Sequence, residues 1–195
     1  MKLLLKIIRR ISLFFLDIVE TGVIALSIFV VVYLFILQPH EVKGNSMLPN
    51  FEHGQFLITD KITYRLKEPS RGDVVVFKAP VDTRFDYIKR IIGLPGEEIK
   101  IQNNQIFING QKLEEIYLPE SFVTRAGQLF KNNQSFTLEP DQYLVMGDNR
   151  EHSSDSREWG PVPKENLVGR VWLRYWPLNK IGKIKKEEYE FTNSS

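Results

Sequence analysis

The chain has 195 residues, with 26 Lys and Arg against 24 Asp and Glu, 43% hydrophobic residues, 12% aromatic residues and no Cys. That length and balance suit one domain of ordinary size with a buried core and exclude a wholly disordered chain, and the absence of Cys excludes disulfides, thiol catalysis and Cys-ligated metal sites. The net charge of +2 is too small to mark a nucleic-acid binder, but it is unevenly spread: Lys2, Lys6, Arg9 and Arg10 put four positive charges and no acid on residues 1–16, leaving −2 on the rest.

The chain opens as a membrane anchor. Residues 22–37, GVIALSIFVVVYLFIL, carry no charge, and as a helix they span about 24 Å, which Ile18, Val19 and Thr21 extend toward the thickness of a hydrocarbon core. Asp17 and Glu20 then fall near the N-terminus of the span, where the helix dipole favours acids, and Pro39 ends it. A cleaved secretory signal is the competing reading. It is disfavoured because the apolar run is long and is followed by QPHEVKGNS rather than a small-residue cleavage site. The basic residues before the span predict a cytoplasmic N-terminus, with everything after Pro39 outside. They recur at helical spacing among Leu3, Leu4, Ile7, Ile8 and Ile11, the pattern of a basic amphipathic segment on an anionic lipid surface. The expected division is therefore 1–16 cytoplasmic, 17–38 transmembrane and 39–182 extracytoplasmic, with 183–195 as a flexible, solvated tail.

Beyond the span the pattern is β. QFLITD (55–60), DVVVFKA (73–79), DYIKRIIG (86–93), EIKIQNNQIFING (98–110), QYLVMG (142–147) and LVGRVWLRYW (167–176) are short apolar runs broken by turn residues. In the fourth, Ile99, Ile101, Ile106 and Ile108 alternate with polar residues around Asn103-Asn104, which predicts a hairpin. No long helical period follows residue 40. The fold expected is mainly β, an antiparallel domain preceded by one transmembrane helix, with residues 111–139 forming a loop-rich excursion.

Few residues suggest chemistry. His40, His53 and His152 stand in no metal-ligand spacing and read as isolated surface side chains, and no nucleophile elbow or phosphate-cradling loop is present. Four stretches stand out: GNSMLPN (44–50), with Ser46 between Gly44 and Pro49; RGDVVVF (71–77); DYIKRIIGLPG (86–96); and GDNREHSSDSREWG (147–160). In the third, Lys89 shares a strand face with Ile91, and Arg90 shares the other with Ile88 and Ile92, so a basic side chain points where an apolar one does. A Lys in such a place either snorkels to water or loses its charge, because burial lowers its pKa.

Taken together and in order, S-M-L-P at 46–49, the 71–77 stretch, K-R-I-I-G-L-P-G at 89–96 and G-D-N-R-E-H-S-S-D-S-R at 147–157 resemble the bacterial type I signal peptidases. The resemblance covers nearly the whole chain, anchor included. It implies a membrane-bound serine endopeptidase that removes signal peptides from exported proteins at the outer face of the cytoplasmic membrane. The fold implied is an antiparallel β catalytic core with a small β insert, here around 97–142. Ser46 is implied as nucleophile and Lys89 as general base, with Ser153 holding the lysine amine and Asp155 and Arg157 forming a buried ion pair. Met47, Tyr87 and Ile88 lie beside these positions and are expected to line the substrate cleft. The partners implied are the signal peptides of preproteins and membrane lipid. No cofactor, metal or nucleic acid is implied, and a monomer is expected to suffice.

The chemistry is consistent: a neutral lysine amine can take the proton of a serine hydroxyl if its pKa falls toward roughly 7–8. Two positions depart from the family. Asn50 replaces a common Thr, keeping a hydrogen-bonding side chain. Gly44 replaces a Ser that in some members stabilises the oxyanion, and Gly44→Ser is expected to cause no large loss. The alternatives are a soluble Ser/Lys peptidase such as a self-cleaving repressor, disfavoured by the span, and a catalytically dead tethered binding module, disfavoured by the retained Ser46, Lys89 and Ser153.

Overall fold

Residues 2–187 and 189–193 are described by the computed structural model. They fall into two compact units that divide after Gln38. The first is one helix, α1 (Lys2–Phe35). Its apolar stretch, Arg9–Phe35, is 27 residues long with none of it buried against protein, the condition a lipid-facing helix requires. The two hydroxyls inside it are satisfied locally: Thr21 Oγ1 donates to the Asp17 carbonyl at 2.8 Å and Ser27 Oγ to that of Val23 at 2.7 Å. Because α1 is continuous from Lys2, Asp17 and Glu20 lie mid-helix rather than near an N-terminus, and the dipole argument for them does not hold.

In the second unit the apolar runs become strands, because their alternation buries one or both faces. In chain order the elements are β1 (Leu37–Glu41), β2 (Phe56–Asp60), α2 (Thr63–Leu66), β3 (Val74–Ala79), β4 (Asp82–Gly93), β5 (Glu98–Gln102), β6 (Gln105–Ile108), β7 (Gln111–Glu114), β8 (Ser135–Thr137), β9 (Gln142–Met146), α3 (Ser156–Trp159), β10 (Val162–Pro163), β11 (Leu167–Trp176), β12 (Gly182–Lys183) and β13 (Glu190–Asn193). The larger sheet runs β1-β2-β11-β3-β4-β9-β10, with β12 beside β11; the smaller runs β13-β7-β6-β5-β8. β11 pairs antiparallel with β2 and β3, β3 with β4, and β4 with β9. The architecture is mainly antiparallel β.

β3 shows why the larger sheet is buried on both faces. Val74 and Val76 pack with Val42, Met47, Phe51, Leu57 and Val171, while Val75 and Phe77 pack with Ile91, Tyr143, Val145 and Val162. The hairpin at Asn103-Asn104 joins β5 and β6, both asparagines having positive φ, 51° and 61°, as a tight primed turn requires. It pairs Ile99 with Ile108 and Ile101 with Ile106, and all four enter a third core cluster under the smaller sheet.

The C-terminal segment is not a solvated tail. β13 pairs antiparallel with β7 along Glu190–Asn193, Ile184 packs on the core beneath β3, and Tyr189 packs against the third cluster. Its short, charge-rich sequence conceals this because the partner edge, β7, lies about seventy residues earlier. The smaller sheet accordingly draws on residues 98–137 and on this returning strand, rather than on a self-contained insert.

Candidate active site

Ser46 sits in a tight turn after β1. The Leu48 N–H donates to the Asn45 carbonyl at 3.2 Å and the Phe51 N–H to that of Met47 at 2.9 Å, while the Met47 and Phe51 side chains anchor the turn in the core. The 147–157 loop grips it from the other side: the Asn149 N–H donates to the Ser46 carbonyl and its side-chain amide to that of Asn45, both at 3.0 Å. Gly147 permits this approach, since a Cβ there would overlap the Ser46 carbonyl oxygen and Ser153 Oγ.

β4 delivers Lys89 to the same place, 43 residues away in sequence. Lys89 Nζ lies 2.8 Å from Ser46 Oγ and 3.1 Å from the Ile88 carbonyl. The residue is only 5% exposed. Burial lowers its pKa from 10.5 to about 8, and the charges of Asp155 and Asp148 oppose that fall without cancelling it. The contact with Ser46 Oγ is therefore one that a free amine can use as an acceptor.

The residues around the pair divide. Tyr87 and Ile88 line a cavity of about 270 Å3 shared with Ser46 and Lys89 and floored by Val42, Leu57 and Val76. Met47 does not line it: at 1% exposure its side chain is a core anchor, because the turn that exposes Ser46 turns the next residue inward. Asp155 and Arg157 form a buried, two-pronged ion pair, Nε–Oδ1 2.8 Å and Nη2–Oδ2 2.9 Å. Asp155 also accepts the Gly147 N–H at 3.0 Å, tying the pair to the loop that holds Ser46. Ser153 Oγ is buried and without a hydrogen-bond partner, so the expected bond to the lysine amine is not made in this conformation. Neither His53 nor His152 lines the cavity; His53 Nδ1 accepts the Gly44 N–H at 3.2 Å. His40 is not an isolated surface side chain, since it lines the cavity beside Thr59 and Asp86.

Against known proteins, a family model described as signal peptidase, peptidase S26, matches residues 15–176. The chain belongs to this family. It is similar to the probable signal peptidase I-2 of Synechocystis sp., 36% identical over 173 residues that cover 86% of this chain and 76% of that one. It is likewise similar to signal peptidase IB of Staphylococcus aureus, 34% identical over 169 residues covering 81% and 87%. A crystal structure of a signal peptidase I from Enterococcus faecalis aligns with a TM-score of 0.45 and 29% identity, over 54% of this chain and 97% of that one. The protein is a serine peptidase of the S26 family and, with its apolar N-terminal helix, a membrane-anchored one.

Two parts of the peptidase site escaped the sequence reading. Arg90, beside Lys89, forms a fully buried two-pronged pair with Asp148, Nε–Oδ1 2.8 Å and Nη2–Oδ2 2.7 Å. Asp148 also accepts from Asn50 Nδ2 at 2.9 Å, so the Asn that departs from the family keeps a hydrogen bond. Arg150, also buried, donates to the Gly147 carbonyl, to both carboxylate oxygens of Glu115, to Thr124 and to the Tyr117 hydroxyl, joining the 115–124 excursion to the 147–157 loop. The basic pair at 89–90 on a strand buried on both faces was the available signal for the first of these; which acids pair with Arg90 and Arg150 depends on contacts 58 and 35 residues apart.

Gly44 also differs from expectation. Its φ is +87°, although a Cβ there would meet nothing within 4 Å. Space is open but the backbone is in the region that glycine adopts without cost. Gly44→Ser is therefore expected to lose about 1 kcal/mol of stability, with a parallel fall in turnover as the Ser46 turn relaxes. Denaturant unfolding with a peptide-cleavage assay checks it, and an unchanged midpoint with raised turnover would show that the turn tolerates an ordinary residue.

Proposed function

We propose that this peptidase cleaves signal peptides from exported preproteins, with Ser46 as nucleophile and Lys89 as general base. The observation that carries the reading is the 2.8 Å contact between Lys89 Nζ and Ser46 Oγ at a buried lysine whose pKa is lowered to about 8. The free amine takes the hydroxyl proton as Oγ attacks the scissile carbonyl, and the resulting ammonium gives that proton to the departing amine. Water, deprotonated by the same amine, then releases the acyl-enzyme as a free carboxylate and restores the serine. The Ser46 N–H donates to the oxyanion. Asp155 and Arg157 brace the loop that holds Ser46, and Ser153 Oγ, buried and unpartnered, becomes a support for the amine after a side-chain rotation. Tyr87 and Ile88 contact the substrate.

The four basic residues of 1–16 support a cytoplasmic N-terminus, and residues 39–182 then act outside as a monomer. Ten residues lie between Phe35, where α1 ends, and Ser46, a reach of at most about 36 Å, so cleavage takes place near the bilayer where a signal peptide emerges. In spheroplasts carrying a tagged preprotein, the wild-type chain is expected to release the mature protein and Ser46→Ala to accumulate the precursor, with external protease digesting the region after Pro39. Unimpaired processing by Ser46→Ala, or digestion only after lysis, overturns the reading.

A further inference from the structure

The Ser46–Lys89 contact joins segments 43 residues apart, so it depends on how the Ser46 turn, β4 and the 147–157 loop are set against one another. One residue outside all three touches each of them. Tyr117, in the 115–124 excursion, lays its ring against the Arg90 guanidinium, whose carbon stands 4.3 Å from the ring centroid. Its hydroxyl accepts from Arg150 Nη2 at 2.9 Å and donates to Glu115 Oε1 at 2.7 Å. Its carbonyl takes a long bond from Asn50 Nδ2, at 3.4 Å. Arg90 is the chain neighbour of Lys89, and Asn50 belongs to the turn that carries Ser46. Arg150 is the chain neighbour of Asn149, whose N–H holds the Ser46 carbonyl. Both halves of the catalytic pair are thus a short step from the same tyrosine.

The ring has a task of its own. Asp148 takes the edge of the Arg90 guanidinium through Nε and Nη2, which leaves the flat face to be covered. An aromatic face is favourable cover for it and keeps water from the buried pair. Burial and the nearby Glu115 carboxylate raise the pKa of Tyr117, so its hydroxyl keeps its proton and stays a donor. Tyr117 is in turn wedged from the C-terminal segment. The Tyr189 ring meets it edge-on, with centroids 5.6 Å apart and planes at 73°. Tyr189 also lies against Gly72, where a Cβ would stand 2.8 Å from its Cε2. β13 follows directly and fixes the segment to β7, and the Arg71 guanidinium lies over the Phe191 ring, 5.3 Å from its centroid. Tyr189 lies outside residues 15–176, the stretch that the family model matches.

We propose that Tyr117 is a positioning residue for the Ser46–Lys89 pair, and that Tyr189 in the C-terminal segment locks it in place. This rests on the Ser/Lys reading above. Neither tyrosine lines the cavity at Ser46 and Lys89, so their effect falls on the chemistry and not on the binding of substrate. Without the ring, water reaches the Arg90–Asp148 pair, Arg150 loses a partner, and the turn and β4 shift relative to one another. Proton transfer from Oγ to Nζ tolerates little of this, since a displacement of about 1 Å can cost on the order of a hundredfold in rate. Tyr189 acts by holding the Tyr117 ring on Arg90.

The test uses the full chain in detergent micelles with a signal-peptide-derived substrate, and reads kcat and KM per folded molecule, the folded fraction coming from urea unfolding. Tyr117→Leu is expected to lower kcat by about 10- to 100-fold with KM unchanged, and Tyr117→Phe, which keeps the ring over Arg90, to recover most of that loss. Tyr189→Ala is expected to lower kcat about tenfold. Tyr117→Leu combined with Tyr189→Ala should be no slower than Tyr117→Leu alone, because the second residue acts through the first. Two independent injuries to the fold would instead reduce the folded fraction and leave kcat per folded molecule as it was. Unchanged kcat in folded Tyr117→Leu or Tyr189→Ala, losses that multiply in the double variant, or a loss that falls on KM overturns the positioning role and leaves the proposed activity standing. Should Tyr117→Leu fail to fold, Tyr189→Ala decides by whether its folded molecules lose kcat. No cleavage by the wild type overturns the activity and the positioning role together.

Discussion

Lys89→Met is expected to abolish peptide cleavage and, at neutral pH, to make the protein more stable. The two effects share one cause. In the folded chain Lys89 is almost fully buried and its pKa is lowered from 10.5 to about 8, with desolvation the largest contribution. At pH 7 the amine is still mostly protonated, so folding takes a charge out of water; a shift of that size corresponds to at most about 3 kcal/mol. Methionine has a similar shape and no charge, so the variant sheds the penalty along with the base. The sign of the pH dependence follows. Between pH 8 and 10.5 the unfolded chain holds a proton on Lys89 that the native protein has lost, so wild-type stability rises with pH across that window and levels off above it, and Lys89→Met loses this rise. Activity should climb on a single limb with an apparent pKa near 8, where the free amine becomes the dominant form. Lys89→Arg should be equally inactive, because guanidinium does not deprotonate in this range, whereas His152→Ala, at an exposed position, should be nearly silent. Urea unfolding from pH 6 to 10, with kcat/KM over the same range, measures all of this. A cleaving Lys89→Arg variant, or a Lys89→Met variant less stable than wild type at pH 7, would contradict the assignment.

Asp148→Ala is expected to be among the most destabilising single changes in the β domain. It removes the carboxylate that holds both Nε and Nη2 of Arg90, whose side chain is 1% exposed. A buried guanidinium without its partner costs about 3–5 kcal/mol. The Gly72 carbonyl, bonded to Nη1 at 3.0 Å, cannot replace the lost charge. Asn50 keeps only its longer bond, to the Tyr117 carbonyl at 3.4 Å, and the turn that carries Ser46 loses one of its ties to the 147–157 loop. Removing both charges, in Arg90→Met with Asp148→Leu, should recover most of the stability, because a buried pair replaced by apolar residues of similar volume is often neutral. A double-mutant cycle by denaturant unfolding reads the coupling directly. A loss below about 1 kcal/mol in the single variant would mean that water or another acid reaches Arg90.

Much of this molecule was legible without coordinates, and the reason is that it depends on short-range pattern. An uncharged run of helical length flanked by bases marks the anchor, because the lipid core sets both length and composition. Alternation at 98–108 around Asn103-Asn104 marks a hairpin, because strand period and turn conformation are properties of adjacent residues. Four motifs in order indicated Ser46 and Lys89, and the sequence showed that a basic side chain in an apolar strand needed an explanation. What only the tertiary structure decided are the pairings across the chain. Lys89 and Arg90 are adjacent and both buried, yet one is left without a carboxylate and one is clamped by Asp148, a difference set by which loop covers which part of β4. Met47 turns into the core while Ser46 faces the cavity, because the side chains that receive Met47 and Phe51, among them Val42, Leu57 and Val171, come from the segment after β1 and from β2 and β11. The C-terminal segment looks solvated because its partner, the open edge of β7, is distant in sequence; the unpaired backbone groups of that edge supply the hydrogen bonds that its own composition does not advertise. Local sequence sets what each segment can be, while burial, which depends on everything packed against it, sets what its polar groups must find.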